Sequence, residues 1–247
     1  MVTYQGKSTA FDSYNPGGIW DIPCPYSDEL RAKVISALVR ALLLTHDTVI
    51  RCDVDEFLVP DLRIYKNLHD YISRSRLPYV TAYGIDVFER DGDAPLDINR
   101  PILISQRSHG IAISASHKTA VTTKPLEWAS GFHGSTVLPV FDLLYMFHMK
   151  FADVDDRSEW LLHMKAGVAE GSSEHTYFSF TNTQMQAHKN WLSRIPCSPE
   201  GWTIMSDAGD REKFLTSVSL SSTGIYQGQF KDAAVAFIIP EIFRDAA

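Results

Sequence analysis

Between residues 28 and 45, Leu30, Val34, Ala37, Leu38, Ala41 and Leu42 recur at the spacing of an amphipathic helix. Ser27 stands before the run as an N-cap, and Asp28 and Glu29 place acids at the positive end of the helix dipole. Thr48–Cys52 then reads as a β-strand. Leu62–Ser73, with Ile64, Leu68 and Ile72 on one face, predicts a second helix. Tyr79–Tyr83 and Ile85–Val87 predict strand, with Gly84 as a bulge between them. Ile102–Ser105 and Leu143–Phe147 predict further strands, and Ile19–Pro23 a short one in an otherwise irregular stretch over residues 1–26. Asn15-Pro16-Gly17-Gly18 and Asp91-Gly92-Asp93 are turns. Residues 108–135 predict loops with short strands, and Trp160–Ala169 and Thr183–Leu192 predict helices. Beyond Gly201 the pattern predicts no element.

The strand over Thr48–Cys52 runs into Asp53-Val54-Asp55-Glu56 and then turns apolar again at Phe57-Leu58-Val59. Strands avoid acids, and a buried carboxylate needs a partner. A solvated turn is the plain alternative, because Asp bonds its own backbone. The apolar segment directly after the acids favours a compensated charge, and Mg²⁺ or Mn²⁺ suits oxygen ligands. On a regular strand Asp53 and Asp55 would share a face. A helix followed by a strand ending in carboxylates is half of an α/β unit, and open α/β sheets bind ligands beyond the carboxyl ends of their strands.

A chain of 247 residues suits one large domain or two small ones. Its formal charge of −7 argues against nucleic acid as a partner. No apolar run is long enough for a transmembrane helix, and the N-terminus has no signal-peptide core. Cys24, Cys52 and Cys197 are odd in number and widely spaced, which fits reduced cytoplasmic thiols.

A second polar group follows: Arg107, Lys118, Glu127, Trp128, His133, His148 and Lys150. Singly, each has an ordinary reading as packing, surface charge or a hydrogen-bonded histidine. Together they suggest a site. His148 and Lys150 are alternate residues of a predicted strand and so share a face. A histidine can complete a metal shell, and Lys and Arg can neutralise a diphosphate.

The block Asp53-Val54-Asp55-Glu56-Phe57-Leu58-Val59-Pro60-Asp61, then Trp128 with Gly131-Phe132-His133, then Phe147-His148-Met149-Lys150, resembles bacterial glycosyltransferase family 2-like proteins of GT-A fold. The resemblance runs from about residue 2 to about residue 160. It implies a Rossmann-type mixed sheet flanked by helices over residues 1–160, with 161–247 a helical or irregular extension of the same domain. It also implies a nucleotide-sugar donor, a glycan or other hydroxyl acceptor, and Mn²⁺ or Mg²⁺. By position, Asp55 would bind the metal and Asp53 would lie against it or the donor. His133 or His148 would be a further ligand, and Arg107, Lys118, Trp128 and Lys150 would contact the donor. Asp86 and Glu127 are the candidate bases. The family usually opens on a strand carrying an R-N-E-like motif. Here Val2-Thr3-Tyr4 looks like its second strand, so the first strand is expected to be missing and the domain N-terminally truncated. The alternatives are an inactive sugar-nucleotide-binding domain and a haloacid dehalogenase-like phosphohydrolase. In the latter, Asp53 and Asp55 would be nucleophile and acid/base and Asp153-Val154-Asp155-Asp156 the later acidic pair.

Overall fold

The structure, a computed structural model, describes residues 2–4, 20–22, 26–97, 99–153, 168, 179, 181–198, 204–228 and 235–244. Of the predicted helix over Trp160–Ala169 only Val168 is described, in an isolated β-bridge with Tyr26, and its other residues and most of Asp153–Asp156 lie outside the described residues.

The fold is mixed α/β. Strands β1 (Val2–Tyr4) and β2 (Trp20–Ile22) form a parallel pair of their own. Helix α1 (Asp28–Leu42) leads to β3 (Val49–Ile50) and β4 (Glu56–Pro60). Helix α2 (Leu68–Arg74) precedes the long strand β5 (Tyr79–Phe88). Then come β6 (His109–Ala112), β7 (Lys118–Thr122), β8 (Gly134–Ser135) and β9 (Phe141–Phe151). The chain continues through α3 (Asn182–Arg194), α4 (Ile204–Ser217), β10 (Ser219–Leu220), β11 (Tyr226–Gln227) and β12 (Phe237–Ile238).

Strand β5 is the axis of the main sheet. It pairs parallel with β9, and antiparallel with both β6 and β7. A 3-10 turn at Ser114–Ser116 separates those last two strands. Strand β4 extends the sheet beyond β9, β3 pairs with β7, and β12 pairs with β6. Period-two alternation along β5 and β9 sends Tyr83, Ile85, Val87, Tyr145 and Phe147 into one apolar cluster. It sends Val80, Ala82, Leu144 and Met146 into another, where Tyr71 of α2 joins them.

Several expectations need correction. Helix α1 ends at Leu42, and its buried positions are Ala32, Ser36 and Val39. Leu30, Ala37 and Ala41 face outward. The stripe is displaced because a polar residue belongs to the packed face: Ser36 donates to the Ala32 carbonyl and accepts the main-chain N–H of Trp128. Helix α2 starts only at Leu68, where Asn67 accepts the Asp70 N–H. The preceding residues turn instead, as the N–H groups of Ile64 and Tyr65 bond the Asp61 carbonyl. Gly84 is no bulge; the register shifts lie elsewhere along β5. Its missing side chain makes room for the Ser116 backbone, which a Cβ would meet at 2.2 Å. Residues 102–105 form a tight turn in place of a strand, with Ile104 at φ +67°. Residues beyond Gly201, where no element was predicted, carry α4 and three short strands. Among the described residues, no helix is long and apolar enough to cross a membrane.

Candidate functional site

Toward the carboxyl ends of the parallel pair β5 and β9, one face of the sheet changes from apolar to charged. On β5 the series Val80, Ala82, Gly84 ends in Asp86. On β9 the series Leu144, Met146 continues into His148, and on β4 Leu58 is followed on that face by Glu56. Cross-strand register sets Glu56 opposite His148 and His148 opposite Asp86, so these three form one row across three strands.

The imidazole of His148 bridges two carboxylates. Its Nδ1 lies 3.0 Å from Oδ1 of Asp86, and its Nε2 lies 3.5 Å from Oδ2 of Asp55. Ser116 donates to the same Asp86 oxygen over 2.6 Å. Burial opposes charge on His148, but the hydrogen bonds with Asp55 and Asp86 overcome it and push the imidazole up to about 9. Burial likewise opposes charge on Asp86, and bonding with His148 and Ser116 holds that carboxyl below its ordinary value. Lys150 follows two residues on, past a register shift between β5 and β9, and its ammonium acts on Asp86, His133 and His188.

Asp53 goes elsewhere. Residues 51–55 leave strand geometry, so the expected common face for Asp53 and Asp55 is not formed. Oδ1 of Asp53 pairs with Arg31 and, at 2.7 Å, with Arg51, while its Oδ2 lies 3.6 Å from Lys118. Glu56 is the deepest acid of the group. Its side chain is 0% exposed, and it accepts from Lys118 at 2.6 Å and from the main-chain N–H of Asp53 at 2.8 Å. Arg51 approaches its other side at 3.4 Å. Burial lowers the pKa of both Arg51 and Lys118, and Glu56 opposes that effect. The guanidinium groups of Arg31 and Arg51 also lie over the Phe132 ring, at 4.8 and 3.5 Å from its centroid, in cation–π contact.

The segment Trp128–His133 underlies this network. Gly131 and Phe132 both have positive φ, +67° and +62°. A side chain at 131 would also strike the His133 imidazole at 2.7 Å. His133 sits 2.6 Å through Nδ1 from the Ala115 carbonyl, which makes Nδ1 the donor and leaves Nε2 as an acceptor. Trp128 is a packing residue, 5% exposed, whose indole N–H donates to the Thr119 carbonyl.

Of the residues chosen from sequence, Asp55, Asp86, His148 and Lys150 come together. Asp53 and Lys118 lie beside them but are tied to other charges. Arg107 is buried and donates to the carbonyls of Ala94, Gln106 and Ala152. Exposed Glu127 pairs with Arg40 of α1 at 3.0 Å and has none of the site residues among its hydrogen-bond partners. Arg107 and Trp128 are thus held by buried carbonyl contacts and packing, and Glu127 by a surface ion pair, apart from the Asp86–His148 pair. Sequence reading missed Arg31, Arg51 and the central role of Glu56. It also missed His188, which α3 carries to the edge of the site, where burial and the Lys150 ammonium lower its pKa.

Asp55 could serve a divalent cation as an oxygen donor, and His148 as a nitrogen donor once the cation displaces the proton that the two carboxylates hold on its ring. His148 already has the carboxylate anchor on its other nitrogen that metal-bound imidazoles use. Among the described residues, no group of three or more His, Cys, Asp or Glu side chains is arranged to hold a metal by itself. A cation here would therefore take most of its ligands from substrate or water, as Mg²⁺ does beside phosphates. Compared with family models, curated proteins and solved structures, the chain matches none.

Proposed function

We propose that this chain is a cytoplasmic, metal-dependent glycosyltransferase of GT-A type, moving a sugar from a nucleotide-diphosphate donor to a hydroxyl acceptor. The observation that carries the reading is the facing of Asp55 and His148 at 3.5 Å, with His148 anchored on Asp86. It lies at the carboxyl ends of parallel strands, where α/β sheets bind ligands. Free thiols at Cys52 and Cys197 suit a reducing compartment.

In this reading Asp55 and the deprotonated His148 would hold Mn²⁺ or Mg²⁺, which would supply positive charge for the departing diphosphate. Lys150, whose charge reaches Asp86, would supply further positive charge. The acceptor oxygen bonds to the anomeric carbon as the carbon–oxygen bond to the diphosphate breaks. The electron pair leaves with the diphosphate, and the hydroxyl proton passes to water. Asp86, with its pKa held low and Oδ1 accepting from both Ser116 and His148, positions the imidazole. Asp53 locks the loop that presents Asp55. A phosphohydrolase would need Asp53 as its nucleophile, and pairing with three cations disfavours that alternative.

The test is calorimetry of the purified chain with UDP and with GDP, with and without Mn²⁺, comparing wild type with Asp55→Asn and His148→Ala. Binding that needs the metal and both side chains supports the reading. Metal-independent binding, or equal binding by the variants, overturns it. Binding without donor hydrolysis would instead favour the inactive sugar-nucleotide-binding domain.

A further inference from the structure

The strands that form the site also carry an aromatic edge. Phe151 follows Lys150 on β9, and the His188 ring lies 4.5 Å from the Phe151 ring, centroid to centroid. Trp191, one turn further along α3, lies 5.2 Å from His188 with the two planes at 36°. Three rings from two elements thus form a continuous stack beside Lys150. The neighbouring Leu192 is buried, yet Trp191 is 47% exposed, so the stack opens to solvent where the packed face of the helix ends.

The position of this stack is fixed. Lys189 pairs with Glu89, just past β5, at 2.7 Å. Arg90 donates to the Ser193 carbonyl at 2.9 Å. Leu192 and Ile195 pack with Phe88 and Ile111 of the main sheet. Side chains held in this way lose little freedom when a ligand arrives. One polar atom in the stack is unsatisfied: Nε2 of His188 is buried and has no hydrogen-bond partner among the described residues. Buried polar atoms are almost always paired, and such exceptions call for a reason.

We propose that Trp191 and His188, backed by Phe151, bind a pyranose ring of the acceptor, which deepens the transferase reading above and rests on it. Apolar ring faces with a few convergent polar groups are the usual make-up of a small-molecule site. A pyranose presents a flat C–H face that covers the exposed indole. Its hydroxyl rim satisfies Nε2 of His188 and faces Lys150. The stack adjoins the Asp86–His148 pair, so a sugar held there directs a hydroxyl toward the donor.

The test uses the full chain labelled with 5-fluorotryptophan. The five tryptophans give separate ¹⁹F resonances, and Trp191→Phe identifies that of Trp191. The probes are the methyl β-glycosides of glucose, galactose and N-acetylglucosamine, with UDP plus Mn²⁺ as a separate arm. The expected result is a saccharide-dependent shift confined to the Trp191 resonance, with affinity weakened about tenfold in His188→Ala. If UDP and Mn²⁺ bind but no saccharide shifts Trp191, the acceptor site is overturned and the transferase reading stands. If a saccharide shifts Trp191 and no nucleotide binds, the sugar site stands and the transferase reading falls. A shift caused by UDP alone overturns the acceptor site in favour of base stacking. No response in either arm overturns both.

Discussion

Lys118 donates through Nζ to Oε1 of Glu56 over 2.6 Å, and neither side chain is more than 6% exposed. Taking two charges out of water is costly, and removing one partner strands the other. Glu56→Ala should therefore destabilise the chain by about 3–5 kcal/mol. Glu56→Gln should cost less, because an amide oxygen still accepts from Lys118. Pairing Glu56→Leu with Lys118→Met should recover much of the loss. Urea unfolding of the single and double variants measures the coupling, and additive losses would show that the pair acts independently.

The two aspartates of the acidic block should separate in function. Asp55 is 35% exposed at the side chain and faces His148, whereas Asp53 is held by three cations. Asp55→Asn should abolish Mn²⁺-dependent nucleotide binding with little change in melting temperature. Asp53→Asn should lower the melting temperature and weaken binding only through loss of loop order. Thermal melts and calorimetry on the same samples check this. A stability loss from Asp55→Asn larger than that from Asp53→Asn would contradict the division of roles.

These roles were only partly legible beforehand. Ser27 announced α1 because a helix cap is a local signal. Glu56 was not legible as the centre of a network, since its closest partner, Lys118, is 62 residues away. Asp53 and Asp55 were misread as sharing a face because that argument assumes an unbroken strand, and the chain turns there. The helix that carries His188 was legible, but not its position against the site. Its helix is tied to the site by Lys189 and Glu89 across 100 residues. Trp128 and Arg107 have the composition of site residues, and only their burial shows that they are packing and carbonyl-binding groups.

Gly84→Ala should damage both fold and site. An added Cβ meets the Ser116 carbonyl carbon and oxygen at 2.2 Å, and backbone atoms cannot rotate away. Overpacking of this kind costs about 1–3 kcal/mol. Moving Ser116 also disturbs its 2.6 Å bond to Asp86, and through it the anchor of His148. Metal-dependent nucleotide affinity should therefore fall along with stability. Gly92→Ala is the control: it lies at φ +94° with nothing within 4 Å, so it should cost stability alone. Equal binding losses in the two variants would sink the proposed route through Ser116.

Acid sensitivity should arise in part from His117. Its ring is buried against Tyr83, Phe141 and Phe214, and its Nδ1 accepts the Gly84 N–H at 2.9 Å. Burial, reinforced by the charge of Arg211 and opposed by Asp86, lowers its pKa from 6.5 to about 3. The folded chain therefore leaves this imidazole neutral at pH values where the unfolded chain protonates it. The unfolded state binds more protons in that interval, so stability falls as pH drops from about 6.5 toward 3 and is unaffected by this group at higher pH. His117→Asn keeps an acceptor for Gly84 without the titration. It should flatten the slope of unfolding free energy between pH 6.5 and 5 by up to about 1.4 kcal/mol per pH unit. Urea titrations of both proteins across that range give the difference directly, and parallel slopes would place the acid sensitivity in other groups.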